Sequence, residues 1–130
     1  MSEIRDRREL IKNLKELKRE GLIGTEKDYN RVYNLCCEID NKYNNYELTN
    51  FITEQNFICN DEVLDNLLKQ NSDDIDRVRC FLGGTYSADL YRVDGYGNLA
   101  NVTSGDMEML VDELIDITKE QIKEVQVSEL

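Results

Sequence analysis

The sequence predicts an α+β fold, mostly helical, with about five to six helices and one antiparallel β-hairpin near residues 88–102 packed against the C-terminal helix. Three observations carry that expectation. Apolar residues recur at three/four spacing through most of the chain, as in helices buried along one stripe. Only residues 86–103 alternate as paired strands do, around Asp94-Gly95-Tyr96-Gly97-Asn98, a turn whose glycines accept positive φ. A hairpin alone is marginal in water, so helices must cover it. The chain has 130 residues, 40 % of them hydrophobic, and no linker or repeat, so a single domain over 1–130 is expected.

The first helix is expected from Ser2 to Glu20, with Ile4, Leu10, Ile11, Leu14 and Leu17 inward, Lys12, Lys15, Lys18 and Arg19 outward, and Gly21 as its stop. Thr25 caps the second, and Asp28 stands where a capping-box acid would. Its stripe is Tyr29, Val32, Tyr33, Cys36, Ile39 and Tyr43, and Asn44-Asn45 breaks it. A short third helix spans Glu47 to Glu54, and residues 55–60 read as a connector. Asn60 or Asp61 opens a fourth, and Ser72 a fifth that Gly83-Gly84 ends before the hairpin. In the hairpin, Leu90 and Leu99 are expected to face helices. Thr103-Ser104-Gly105-Asp106 starts the last helix, which runs to about Glu124 on a stripe of Met107, Leu110, Val111, Leu114, Ile115, Ile122 and Val125, leaving Val127 to Leu130 frayed.

Charge and residue usage exclude several functions. The net charge is −11, from 27 acidic and 16 basic residues, and residues 1–20 hold seven Lys/Arg against five Asp/Glu, so the rest of the chain sums to −13. Such a body repels phosphate, which argues against direct nucleic-acid binding. No apolar run reaches the length of a membrane span, and the charged start Met1 to Arg8 has no signal-peptide core, so a cytoplasmic protein without membrane contact is expected. Without any His, no Ser or Cys nucleophile has its usual base, and the acids read as solvated, so an enzyme is not expected. Gly83-Gly84-Thr85 and Gly95-Tyr96-Gly97 lack phosphate-loop spacing and read as turns.

Two features remain as candidate sites. Cys36, Cys37, Cys59 and Cys80 are just enough for a four-thiolate zinc site, with zinc as the implied metal, although the adjacent pair diverges by about 100° on a helix and no Cys-x₂₋₄-Cys knuckle is present. Asp40 lies on the same face as a substitute ligand. The other reading is four reduced core thiols. On the last helix, Glu108, Asp112 and Asp116 stand four residues apart, flanked by Glu113, Glu120 and Glu124, with no Lys before Lys119. Like charges at that spacing cost stability, so an uncompensated acidic line suggests a basic partner, with Glu108, Asp112, Glu113, Asp116 and Glu120 as the candidate binding residues. Asp73, Asp74 and Asp76 form a second patch that reads equally well as cap and dipole partners.

A small acidic helical chain without His or Pro, bearing Ala88 to Thr103 around Asp94-Gly95-Tyr96-Gly97-Asn98 and then an acidic helix, resembles small proteins of phages and mobile elements of low-GC bacteria. Among these it resembles anti-CRISPR inhibitors of type II effector nucleases. The resemblance implies a non-enzymatic inhibitor acting in the bacterial host cytoplasm, occupying a basic nucleic-acid channel or a regulatory lobe of the nuclease. The sequence therefore supports two functions: an acidic binding protein that inhibits a basic nucleic-acid-handling partner, or a small zinc-stabilised structural or regulatory domain whose acidity serves solubility.

Overall fold

The computed structural model describes residues 2–59, 90–93 and 99–128, the side chains of Cys59, Val93 and Leu99 excepted. These residues form four helices, α1 (Ser2–Glu20), α2 (Glu26–Tyr43), α3 (Glu47–Glu54) and α4 (Ser104–Ser128), and three short strands, β1 (Ile58–Cys59), β2 (Leu90–Val93) and β3 (Leu99–Asn101). The protein is mostly helical with a small antiparallel sheet. Its described helices number four where five to six were expected; the fourth and fifth of that expectation, between residues 60 and 82, lie outside the described residues, as does the 94–98 turn.

Helix α1 buries Leu10, Leu14 and Leu17, and the same stripe carries Arg7 inward. Gly21 ends it with a φ of 96°, a left-handed conformation open to glycine, while its N–H donates to the Lys18 carbonyl at 3.2 Å. Thr25 caps α2 as the sequence indicates: its Oγ1 accepts the Asp28 N–H at 3.2 Å. Asp28 does not close the capping box. Its Oδ2 accepts the Ile23 N–H at 2.9 Å, so the carboxylate pins the connector that sends Leu22 into the core. At the other end Asn44 takes φ 51° and donates its N–H to the Asp40 carbonyl.

The sheet has the order β1-β2-β3, with Ile58 opposite Tyr91 and Cys59 opposite Leu90, then Tyr91 opposite Asn101, Arg92 opposite Ala100 and Val93 opposite Leu99. The sequence reading treats residues 55–60 as a connector; two paired residues are too short to show a period-two pattern. This added strand makes β2 central, and Leu90 and Tyr91, which point to opposite faces, are 1 % and 0 % exposed. At these two positions β2 is covered on both faces, where the sequence asked for one.

Thr103 and Asp106 form a reciprocal capping box at the start of α4: the Thr103 N–H donates to Asp106 Oδ2 at 2.9 Å and the Asp106 N–H to Thr103 Oγ1 at 3.1 Å. Arg92 Nε donates to the same Oδ2 at 3.0 Å, fastening β2 to the helix that follows the hairpin. The helix then continues to Ser128, past the fraying expected from Val127. Leu90 and Val102 join Met107, Leu110, Val111 and Leu114 of α4 and the inward leucines of α1 in one core. α1 and α4 run antiparallel, since Arg7 meets Gln121 and Lys18 meets Asp112.

Two outcomes follow from these contacts. A Cβ at Gly24 would lie 1.8 Å from the Val102 carbonyl oxygen, a backbone atom that cannot swing away. Gly24→Ala should therefore cost at least about 1–3 kcal/mol, the usual range for overpacking, read as a lower urea midpoint at unchanged slope. For Asp106, burial raises the carboxyl, but the Thr103 N–H, the Arg92 guanidinium and the Thr103 hydroxyl outweigh it and hold it below the ordinary 3.8. A folded value below the unfolded one stabilises fully above pH 3.8 and is lost as pH falls through the folded value. Asp106→Ala should cost about 1 kcal/mol at neutral pH. Melting curves of variant and wild type should converge under acid; a constant gap down to strong acid would show that the carboxylate charge contributes nothing.

Candidate functional site

The four cysteines separate into two that can be placed and two that cannot. Cys36 is fully buried on the α2 stripe, and burial, with Asp40 and Cys37 adding to it, pushes its thiol up to about 12. Such a thiol is protonated at neutral pH and packs as a small hydrophobe. Cys37 is half-buried, and its Sγ accepts from Asn41 Nδ2 at 3.3 Å. Cys59 is placed in β1, but its side chain, like the whole of Cys80, lies outside the described residues. Among the described residues, no three Cys, Asp or Glu side chains gather as a metal would require.

Asp40, considered from sequence as a substitute ligand, has a structural partner. It is 1 % exposed, and its Oδ2 accepts the Thr49 N–H in the first turn of α3 at 2.8 Å. Burial raises its carboxyl above the ordinary value, against the opposing pull of the Thr49 hydrogen bonds and the Arg7 charge. The Asp40 carbonyl accepts at the end of α2 and its carboxylate caps α3, so the side chain has a structural use without any ligand. Together with Asp28 it corrects the expectation that the acids are solvated, because both sit on the inward stripe of α2.

Sequence reasoning missed a buried cation altogether. Arg7, 2 % exposed, donates from Nε to Gln121 Oε1 at 3.1 Å and places its guanidinium carbon 4.9 Å from the Tyr43 ring centroid. Its Nη1 lies 2.8 Å from Glu3 Oε1, a close ion contact whose angle falls short of a hydrogen bond. Gln121 reaches on to Glu47 at 3.5 Å. The cluster joins α1, α2, α3 and α4 and opens onto no reacting group, so it reads as structural.

The acidic candidates are all exposed. Glu108, Asp112 and Asp116 form one bank of a surface groove between α1 and α4, with Ile115 on the same wall and Lys15, Lys18 and Arg19 on the other bank. Lys18 Nζ donates to both Asp112 oxygens, at 2.8 and 3.1 Å. That ion pair raises the Lys18 ammonium above its ordinary value and corrects the picture of an uncompensated line. Glu113 stands apart, in a second depression with Met109, Arg92 and Phe57. Glu120 has Lys123 at 3.8 Å. Met109 itself is 68 % exposed between these acids, an apolar side chain with no role in the core.

Cys36 and Cys37 give a chemical test of the packing. At mildly alkaline pH, iodoacetamide should modify Cys37 well before Cys36, followed by mass mapping of the native protein; equal rates would show that the core over Cys36 opens readily. Comparisons with family models, with curated proteins and with solved structures found no match.

Proposed function

We propose that this chain is a non-enzymatic binding protein that docks a basic, nucleic-acid-handling partner through the outward face of α4. The observation that carries the reading is the exposed Met109, 68 % accessible, standing amid Glu108, Asp112, Glu113 and Asp116 on a helix with no cation before Lys119. An apolar anchor with an acidic surround has the anatomy of an interface: the thioether adapts to the opposing surface, and the carboxylates select and steer a partner of opposite sign. Among the described residues, Asp112 alone of these four acids has an ion pair within the chain, with Lys18.

The absence of catalysis in this reading rests on what the perturbed carboxylates are used for. Asp6 is lowered by Lys42 and Tyr43, which both donate to it; Asp40 holds the Thr49 N–H; Asp106 holds Thr103 and Arg92. Each is occupied by a structural partner. The resemblance to anti-CRISPR inhibitors makes a type II CRISPR effector nuclease in a bacterial cytoplasm the partner of choice. No described helix is long and apolar enough to cross a membrane. Zinc held by Cys36, Cys37, Cys59 and Cys80 is a separate proposal, decided by elemental analysis of protein purified without chelator.

Inhibition is tested by titrating the chain into a guide-loaded type II nuclease and following target cleavage and complex formation. Cleavage should fall with added chain, and the complex should weaken as salt shortens the Debye length from about 10 Å at 0.1 M to about 3 Å at 1 M. Met109→Ala combined with Glu113→Lys and Asp116→Lys should weaken it by roughly tenfold or more, about 1.4 kcal/mol. Full-strength binding by that variant would remove α4 from the interface.

A further inference from the structure

We infer that the α1/α4 surface is self-complementary and that its occupant is a second copy of this chain, forming a two-fold dimer. On α1, Arg5, Arg8, Lys12, Lys15 and Arg19 follow three/four spacing along one outward line. All five are exposed, Glu9 and Glu16 flank the line on one side, and none of the five is ion-paired among the described residues. The line is about 21 Å long at 1.5 Å per residue.

Across the groove stand Glu108, Asp112 and Asp116 of α4, with Lys119 on the same bank, and Glu120 continues their four-residue spacing beyond the groove lining, about 18 Å in all on the same rise. Packed helices lie about 8–10 Å apart, within the Debye length of about 10 Å at 0.1 M salt, so each line feels the other. That neighbour decides the class of ligand. A polyanion laid along α1 would meet the α4 carboxylates one helix away, and a basic surface that reached across the groove from α4 would meet the α1 cations. A ligand that spans both banks carries two lines of opposite sign and similar length, which is what this chain itself presents.

The symmetry is set by the signs. A two-fold axis parallel to the groove lays the basic line of one copy on the acidic line of the other, twice over, and the contact closes at two. A two-fold axis across the groove would set like on like. Because α1 and α4 are antiparallel, with Lys18 level with Asp112 and Arg7 with Gln121, the middle of one line meets the middle of the other. Exposed pairs are individually weak, so the dimer forms at high protein concentration and low salt. The inference uses the charge pattern alone and does not rest on the proposed partner.

Sedimentation equilibrium over a concentration series tests it. Wild type should pass from monomer to dimer and stop there, with dissociation when salt is raised from about 0.1 M to about 1 M. Reversal of the α1 line (Arg8→Glu, Lys12→Glu, Lys15→Glu) and of the α4 line (Glu108→Lys, Asp116→Lys, Glu120→Lys) should each give a monomer, with circular dichroism melting confirming the fold. Mixing the two variants should restore a 1:1 dimer, since both contacts are again complementary; a variant that had merely misfolded could not do this. A wild type monomeric throughout, a mass that climbs past two, or mixed variants that stay apart would overturn the inference. So would a monomeric wild type that binds a single-stranded oligonucleotide through the α1 line.

Discussion

The rest of the structure is arranged around the burial of Arg7. A guanidinium 2 % exposed cannot be left unpaired, because an uncompensated buried charge costs several kcal/mol, typically about 3–5 when one partner is removed. Its partners therefore have fixed places: Gln121 on α4, Glu3 one turn back on α1, and the face of Tyr43 at the end of α2. Gln121 and Arg7 are 114 residues apart in sequence, and their hydrogen bond, with the Lys18–Asp112 pair, ties the two ends of the described chain. Together these contacts fix the level at which Leu10, Leu14 and Leu17 meet Leu110, Val111 and Leu114. Packing supplies the stability, and the buried polar contact supplies the register.

A second buried charge settles the position of α3 in the same manner. Asp40 gives its carbonyl to the turn that ends α2 and its carboxylate to the Thr49 N–H that begins α3, so the connection of three residues is determined by one side chain. Tyr43 then closes the circuit, donating to Asp6 of α1 while its ring lies under Arg7. Among the described residues, Asp6, Asp28, Asp40 and Asp106 are each engaged in holding one element to the next.

Most of the helical frame was legible because its cause is local. The stripes of α1, α2 and α4, the Thr25 cap and the Thr103–Asp106 box all follow from residues within one or two turns of each other. Arg7 was not, although it sits in register with Leu10, Leu14 and Leu17; the apolar pattern treats a cation on the stripe as noise when it is the signal of a buried partner. Asp40 and Gln121 share that signature. Strand β1 was missed because two residues carry no period, and Asp112 was read as uncompensated because its cation, Lys18, lies 94 residues away. Cys80 and the second half of the expected metal set fall outside the described residues, so the cysteine alternatives are narrowed only at Cys36.

The charge pattern itself divides into a part that the fold explains and a part that it does not. Acids in the first turns of α4 and cations in the last turn of α1 both suit the helix dipole, and antiparallel packing brings these two ends together in the Lys18–Asp112 pair. Local preference and tertiary contact agree there, as expected of a sequence selected to fold. Further along the groove they part. Arg5 and Arg8 lie in the first turns of α1, where the dipole disfavours cations, and Glu120 and Glu124 lie toward the end of α4, where it disfavours acids. No ion pair among the described residues offsets Arg5 or Arg8. Arg5 and Arg8 are thus kept, exposed, against the dipole of the helix that bears them, a cost that neither local helix preference nor an ion pair among the described residues offsets.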